Sequence, residues 1–171
     1  MGYKRVIIVG KGGSGKDHLR KEMVSHGFKY CVSHTSRPIR QEEEDGVDYY
    51  FVDKEYFDSG VFYEKVVFNE WFYGTSMDEF NSANLFIMTP SGLAKMSEVD
   101  RKQSYVIYID IDEETRRKRL LARRDADDVR RRLKADELDF GNFSNFDHRI
   151  TDPDFRFEIG WIDLEKIKID G

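Results

Sequence analysis

Val6-Ile7-Ile8-Val9-Gly10-Lys11-Gly12-Gly13-Ser14-Gly15-Lys16 sets a run of β-branched residues directly before a glycine-rich loop that ends in lysine. Such a run suits a short buried strand. From Asp17 the pattern turns helical, with Leu19 and Met23 on one face and Gly27 placed to end the helix after His26. Strand, G-x-x-x-x-G-K loop and helix, in that order, make a phosphate-binding P-loop. Glycines let successive backbone N–H groups face one anion, the helix start adds partial positive charge, and Lys16 can reach the outer phosphates of a triphosphate. A loop that merely turned tightly would leave the lysine unexplained. Gly10, Lys11, Gly12, Gly13, Ser14, Gly15 and Lys16 are therefore expected to hold a nucleotide's phosphates.

One position departs from the motif. Asp17 stands where a Ser or Thr hydroxyl normally helps to bind Mg²⁺. A carboxylate is a good ligand for a hard cation, so Asp17 is read either as a replacement metal ligand or as an acid interacting with the helix dipole. His18 reads as a surface or packing residue.

A second anion-holding device follows in Ser33-His34-Thr35-Ser36-Arg37-Pro38-Ile39-Arg40 and continues through Glu42-Glu43-Glu44-Asp45 to Asp48-Tyr49. Arg37 and Arg40 offer two planar guanidinium forks to a phosphate dianion, and Tyr49 can add a hydroxyl donor. Pro38 requires a turn rather than a long helix to present them. The alternative is that these arginines pair with the adjacent acids on a solvated loop. Two phosphate-holding devices in one small chain imply two phosphorylated ligands held together.

Length and composition narrow the field. The 171 residues fit one α/β domain, and a 14% aromatic content can fill its core. The single Cys31 cannot form an internal disulfide, and no signal-peptide pattern is present, so a reducing, intracellular setting is expected. Val6 stands where myristoylation after Met1-Gly2 would need Ser or Thr. No apolar run approaches a membrane span. A net charge of −5 argues against general nucleic-acid binding.

Further strands are expected at Lys29–Val32, Tyr49–Val52 and Val61–Phe68, with a short helix over Glu55–Ser59 that stops near Gly60. Asn84–Thr89 and Ser104–Ile111 read as central parallel strands joined through a helical stretch near Pro90–Val99. This alternation indicates a parallel sheet.

The segment from Ser33 resembles the guanylate kinases, P-loop enzymes that phosphorylate GMP. That family reads S-x-T-T-R-x-P-R-x-G-E-x-x-G-x-D-Y-x-F-V, and Ser33, Thr35, Arg37, Arg40, Glu43, Gly46, Asp48, Tyr49, Phe51 and Val52 match in register. Ser36, Pro38 and Glu42 depart from it. The likeness is strong from Val6 to Ser76 and fades toward the C-terminus. It implies a P-loop NTPase three-layer α/β fold. The expected parts are a core over about 1–32 and 77–171, a monophosphate-binding insert at 33–76 and an arginine-rich lid at 123–146.

The resemblance also implies a reaction, ATP- and Mg²⁺-dependent phosphoryl transfer to GMP or dGMP, in a cytoplasmic monomer or homodimer without nucleic-acid or membrane partners. Phe62-Tyr63-Glu64 and Tyr73-Gly74-Thr75 have the family's spacing, so Glu64, with Ser33, Tyr73 and Thr75, would read the base. A carboxylate suits guanine because that base edge presents two donors. Glu70, beside Trp71, is a rival that breaks the spacing. The family's next strand ends Asp-x-Asp, but aligning its following glycine on Gly92 puts Ile87 and Thr89 there. Both acids are missing. Thr89 would then face the bound nucleoside, and Asp17 would compensate from the loop side. Asp110 and Asp112 resemble a Walker B pair, yet belong to the next strand.

The basic stretch from Arg116 begins after the acids Asp112, Glu113 and Glu114, which favour a helix start. Arg116, Arg119 and Arg123 share a face, and Arg119-Leu120, Arg123 and Arg132-Leu133 match the family's lid helices. Arg119 would touch ATP, and Arg123 and Arg132, with Lys16 and Arg37, would be catalytic. A salt-bridged solvent helix is the alternative, since Asp125, Asp127 and Asp128 lie nearby. Phe146 to Asp152 resembles the family's D-x-x-I-x-N-D adenine loop, shortened by one residue and without its Asn, and the tail with Phe155, Phe157 and Trp161 would cap the core. Competing functions are a kinase for another deoxynucleoside or nucleoside monophosphate, a small-molecule P-loop kinase, and a non-catalytic phosphopeptide-binding module, which typically lacks the lysine kept here as Lys16.

Overall fold

The computed structural model describes residues 2–123 and 128–154. β1 (Arg5–Gly10) lies inside a parallel sheet between β6 (Leu85–Ile87) and β7 (Ser104–Ile109), and β8 (His148–Ile150) completes the order β6-β1-β7-β8. Alternate residues of β1 face opposite sides, as strand geometry requires. Val6 and Ile8 pack with Leu19 and Met23 of α1 (Lys16–Ser25), whereas Ile7 and Val9 pack with Phe80, Leu93 and Phe140. Those last three belong to α3 (Met77–Ser82), α4 (Pro90–Ala94) and α7 (Val129–Phe140). Helices thus cover both faces of the sheet, giving the expected three layers.

The smaller sheet has the order β3-β2-β5-β4 and is built from β2 (His34–Thr35), β3 (Tyr50–Phe51), β4 (Phe62–Phe68) and β5 (Trp71–Ser76). Phe57 of α2 (Lys54–Ser59) stacks on Phe62 and Phe72 at centroid distances of 5.2 and 5.4 Å and fills its apolar side. The hairpin β4–β5 turns through Asn69 and Glu70, whose φ values of 50° and 67° match the twist of the flanking strands.

Local chemistry explains most helix starts. Side chains of Asp53, Ser76, Thr89, Ser97, Asp112 and Asp128 each accept a first-turn backbone N–H. The stretch after Pro90 is two short helices, α4 and α5 (Glu98–Lys102), rather than one. Ser97 recaps the chain between them. Lys29–Val32 does not form a strand. Tyr30 makes only a single bridge to Leu85, which leaves β6 near the sheet edge instead of at its centre. α6 (Glu113–Ala122) and α7 flank residues 124–127, so that part of the expected lid, with Asp125 and Asp127, lies outside the described residues, as do Phe155, Phe157 and Trp161. Among the described residues no helix is long and apolar enough to cross a membrane.

Candidate active site

The phosphate loop joins β1 to α1, and its lysine is folded inward. Lys16 Nζ donates to the carbonyls of Gly10 and Lys11 at 2.6 and 3.1 Å. Burial lowers the Lys16 pKa to about 8, with Asp136 and Asp17 offsetting part of that drop. Gly13 has φ +77°, and a Cβ there would lie 2.8 Å from the Arg116 carbonyl oxygen, so only glycine fits without strain.

The same cleft is lined by the residues expected to hold the acceptor phosphate. Arg37 is 3% exposed, and its two terminal nitrogens donate to the two oxygens of Glu43 at 2.8 Å each. Its guanidinium lies 5.3 Å from the Tyr49 ring centroid. The pairing foreseen as an alternative to phosphate binding is therefore present, but inside the cleft rather than on a solvated loop. Burial pushes the Glu43 carboxyl up, and the Arg37 hydrogen bonds and the Arg40 N–H bring it below its ordinary value. Arg40 and Tyr49 line the same cleft as Lys16, which has a volume of about 290 Å³.

Deeper in this wall, Thr75 donates to Oε1 of the buried Glu64 at 2.7 Å. Glu64 Oε2 is buried and has no hydrogen-bond partner among the described residues. Burial raises the Glu64 pKa, with the Thr75 hydrogen bond acting against it. Ser33 and Tyr73 line the cleft beside Glu64, while Thr75 braces it from behind. Thr89 also faces the cleft, its hydroxyl oxygen accepting the Gly92 N–H at 3.0 Å. Glu70 sits at the tip of the hairpin and pairs with Arg131, so it does not compete with Glu64. Arg131 also donates to the Asn69 carbonyl at 3.2 Å, bridging α7 to the smaller sheet.

The arginines divide into two groups. Arg123 and Arg132 reach the cleft. Arg119 instead donates to the carbonyls of Gly13 and Pro153 at 3.1 and 2.8 Å, bracing the loop's outer side, and Arg116 is buried with its Nε on the Ile111 carbonyl at 2.9 Å. The helix face is thus partly structural. Lys11, like Arg119 and Thr75, is not part of the cleft lining.

Sequence reasoning missed Asp136, Asp139 and Phe140 of α7, all of which line the cleft. Their spacing from Arg132 puts the four on one helical face, the signal that could have found them. It also missed Arg20, which is 5% exposed. Arg20 lies 3.4 Å from Asp17 and donates to Asp48 at 2.8 Å, joining the end of the phosphate loop to the segment that carries Tyr49. His18, expected only to pack or face solvent, lines the cleft.

The metal question turns on donor chemistry. Among the described residues no three His, Cys, Asp or Glu side chains gather to hold a metal ion. Asp110 pairs with Arg149, and Asp112 caps α6, so neither serves the phosphates. The Asp17 side chain is 60% exposed, so a cation can reach it although one of its oxygens lies 3.4 Å from Arg20. One hard oxygen ligand suits Mg²⁺, which normally keeps several waters and takes its remaining ligands from phosphate.

Comparison with known proteins then supplies a family. The guanylate kinase family model matches residues 2–158. A guanylate kinase of Legionella pneumophila is 34% identical, the match covering 95% of this chain and 84% of that protein. One of Mycoplasma genitalium is 30% identical over 87% of this chain and 69% of its own length. The crystal structure of guanylate kinase from Anaplasma phagocytophilum superposes with a TM-score of 0.68 at 21% identity, covering 98% of this chain and 89% of that one.

Proposed function

We propose, because this chain belongs to the guanylate kinase family, that its cleft transfers the γ-phosphoryl group of ATP to GMP or dGMP. The observation that carries this reading is a single cleft lined by Lys16, by Arg37, Arg40 and Tyr49, and by Glu64. In this reading Lys16 and the loop amides hold the donor phosphates, and Arg40, Tyr49 and Arg37 hold the acceptor phosphate. Glu64 Oε2 accepts from the guanine edge, a pairing that discriminates strongly because a wrong base leaves buried polar groups unpaired. Arg123 and Arg132 neutralise charge as the phosphoryl group moves, so catalysis is mainly positioning and electrostatics. Asp17 would hold Mg²⁺ at the loop, where the ion would neutralise donor-phosphate charge.

The insert at 33–76 and the lid at 123–146 are assigned as the parts that close over the ligands and exclude water. A cytoplasmic location and a monomeric or homodimeric state accompany this reading. Ile87 and Thr89, in place of strand-end acids, favour a second reading in which the acceptor is another nucleoside monophosphate. A coupled assay with ATP and GMP, dGMP, AMP, CMP, UMP or dTMP tests both. Turnover confined to guanine nucleotides is expected. Absence of ADP release with every monophosphate, together with thermal stabilisation by a phosphopeptide, would overturn the assignment.

A further inference from the structure

One buried acid faces the phosphate loop without a role in this scheme. Asp136, on the inner face of α7, is 3% exposed, and its Oδ2 accepts the Gly12 N–H at 2.9 Å. The same oxygen lies 3.8 Å from Arg116 Nη1. A Cβ built on Gly12 would stand 3.3 Å from that oxygen and 3.6 Å from Arg132 Nη2, so the Arg132 guanidinium shares the spot. Asp136 is also the counter-charge that most offsets the burial of Lys16. An amide of the glycine loop, a lysine and two guanidinium groups are the donors that a terminal phosphate uses. Here a carboxylate sits among them.

We propose that Asp136 is an internal stand-in for the donor's outermost phosphate, a positioning residue that holds these cationic groups around the loop and gives up the Gly12 amide when a polyphosphate binds. The proposal rests on reading the loop as the donor site, and is independent of which acceptor is used. Two anions in so desolvated a place repel strongly, so carboxylate and phosphate cannot share the Gly12 amide. Desolvation already disfavours the Asp136 anion, raising its carboxyl pKa against the pull of Lys16 and the Gly12 N–H.

Calorimetric titration with inorganic tripolyphosphate tests this on the wild-type protein and on Asp136→Asn. The Asn variant is expected to bind roughly five- to tenfold more tightly, because the competing charge is gone while shape is kept. A residue that only pinned α7 would loosen binding when replaced, so equal or weaker binding overturns the proposal. Should the variant fail to fold, the wild-type protein answers through the ¹³C resonance of the Asp136 carboxyl group. That resonance is expected to shift on adding tripolyphosphate, and a resonance that stays put overturns the proposal. Tighter binding by the variant, in a protein that phosphorylates no monophosphate, would sink the kinase reading and leave Asp136 in its role.

Discussion

Thr75 holds one oxygen of Glu64 at 2.7 Å, and the other oxygen is left buried without a partner among the described residues. The pair is a half-finished hydrogen-bonding unit, fixed by one strand neighbour and completed by whatever enters the cleft. Glu64→Gln replaces the free acceptor by an amide that can also donate. The KM for GMP is expected to rise roughly 10- to 100-fold, the range for losing a hydrogen bond to a charged group, with the KM for ATP little changed. Steady-state kinetics with each substrate varied would check this, and an unaltered GMP KM would remove Glu64 from the base site.

The same residue sets a pH dependence. Its folded-state pKa is raised by burial, so the folded protein binds this proton more readily than the unfolded chain does. Stability contributed by Glu64 is therefore greatest on the acid side and declines as pH rises from the ordinary glutamate range through the raised value. Guanine recognition by Glu64, as proposed, would need the ionised form and would gain over the same interval. GMP affinity and melting temperature are expected to move in opposite directions with pH there, and Glu64→Gln should flatten both trends, as read by calorimetry and thermal melts.

Arg37 and Arg40 differ in how they are held. Arg37 is buried and doubly bonded to Glu43, so Arg37→Ala leaves a carboxylate uncompensated and is expected to lower both stability, by about 3 kcal/mol, and acceptor binding. Arg40→Ala should raise the KM for GMP roughly tenfold or more with a smaller change in melting temperature. Denaturant titration beside kinetics separates the two effects.

Arg20 joins the phosphate loop's helix to the acceptor segment through Asp17 and Asp48. Arg20→Met is expected to lower stability by about 1–3 kcal/mol and to raise the KM for GMP through displacement of Tyr49. Adding Asp48→Asn should recover part of the stability, a coupling that a double-mutant cycle measures. Strict additivity would show that the pair does not bind the two segments together.

Gly13→Ala forces a side chain into a left-handed backbone and against the Arg116 carbonyl. A stability loss of at least about 1 kcal/mol and a collapse of ATP binding are expected. A variant with wild-type ATP affinity would contradict the observed loop geometry.

Much of this was readable from residue order alone. The Val6–Lys16 strand and loop have a spacing that local chemistry enforces, and Glu64 falls on the strand expected to carry it. The Asn69–Glu70 turn was less legible, because its positive φ values are stabilised by the pairing of β4 with β5, and β5 has no strict alternation of its own. Asp136 was hidden for a different reason. An acid within a basic helix reads as a solvated neighbour until the fold lays that helix against Gly12, more than a hundred positions away in sequence.

The bridge from Arg131 to the hairpin tip joins α7 to the smaller sheet through side chains 40% and 79% exposed. An ion pair so wet is worth less than about 1 kcal/mol and weakens further with salt. Thermal motion alone therefore parts it many times during any slow step. The tie between α7 and the smaller sheet is better pictured as a swing door than as a bolt.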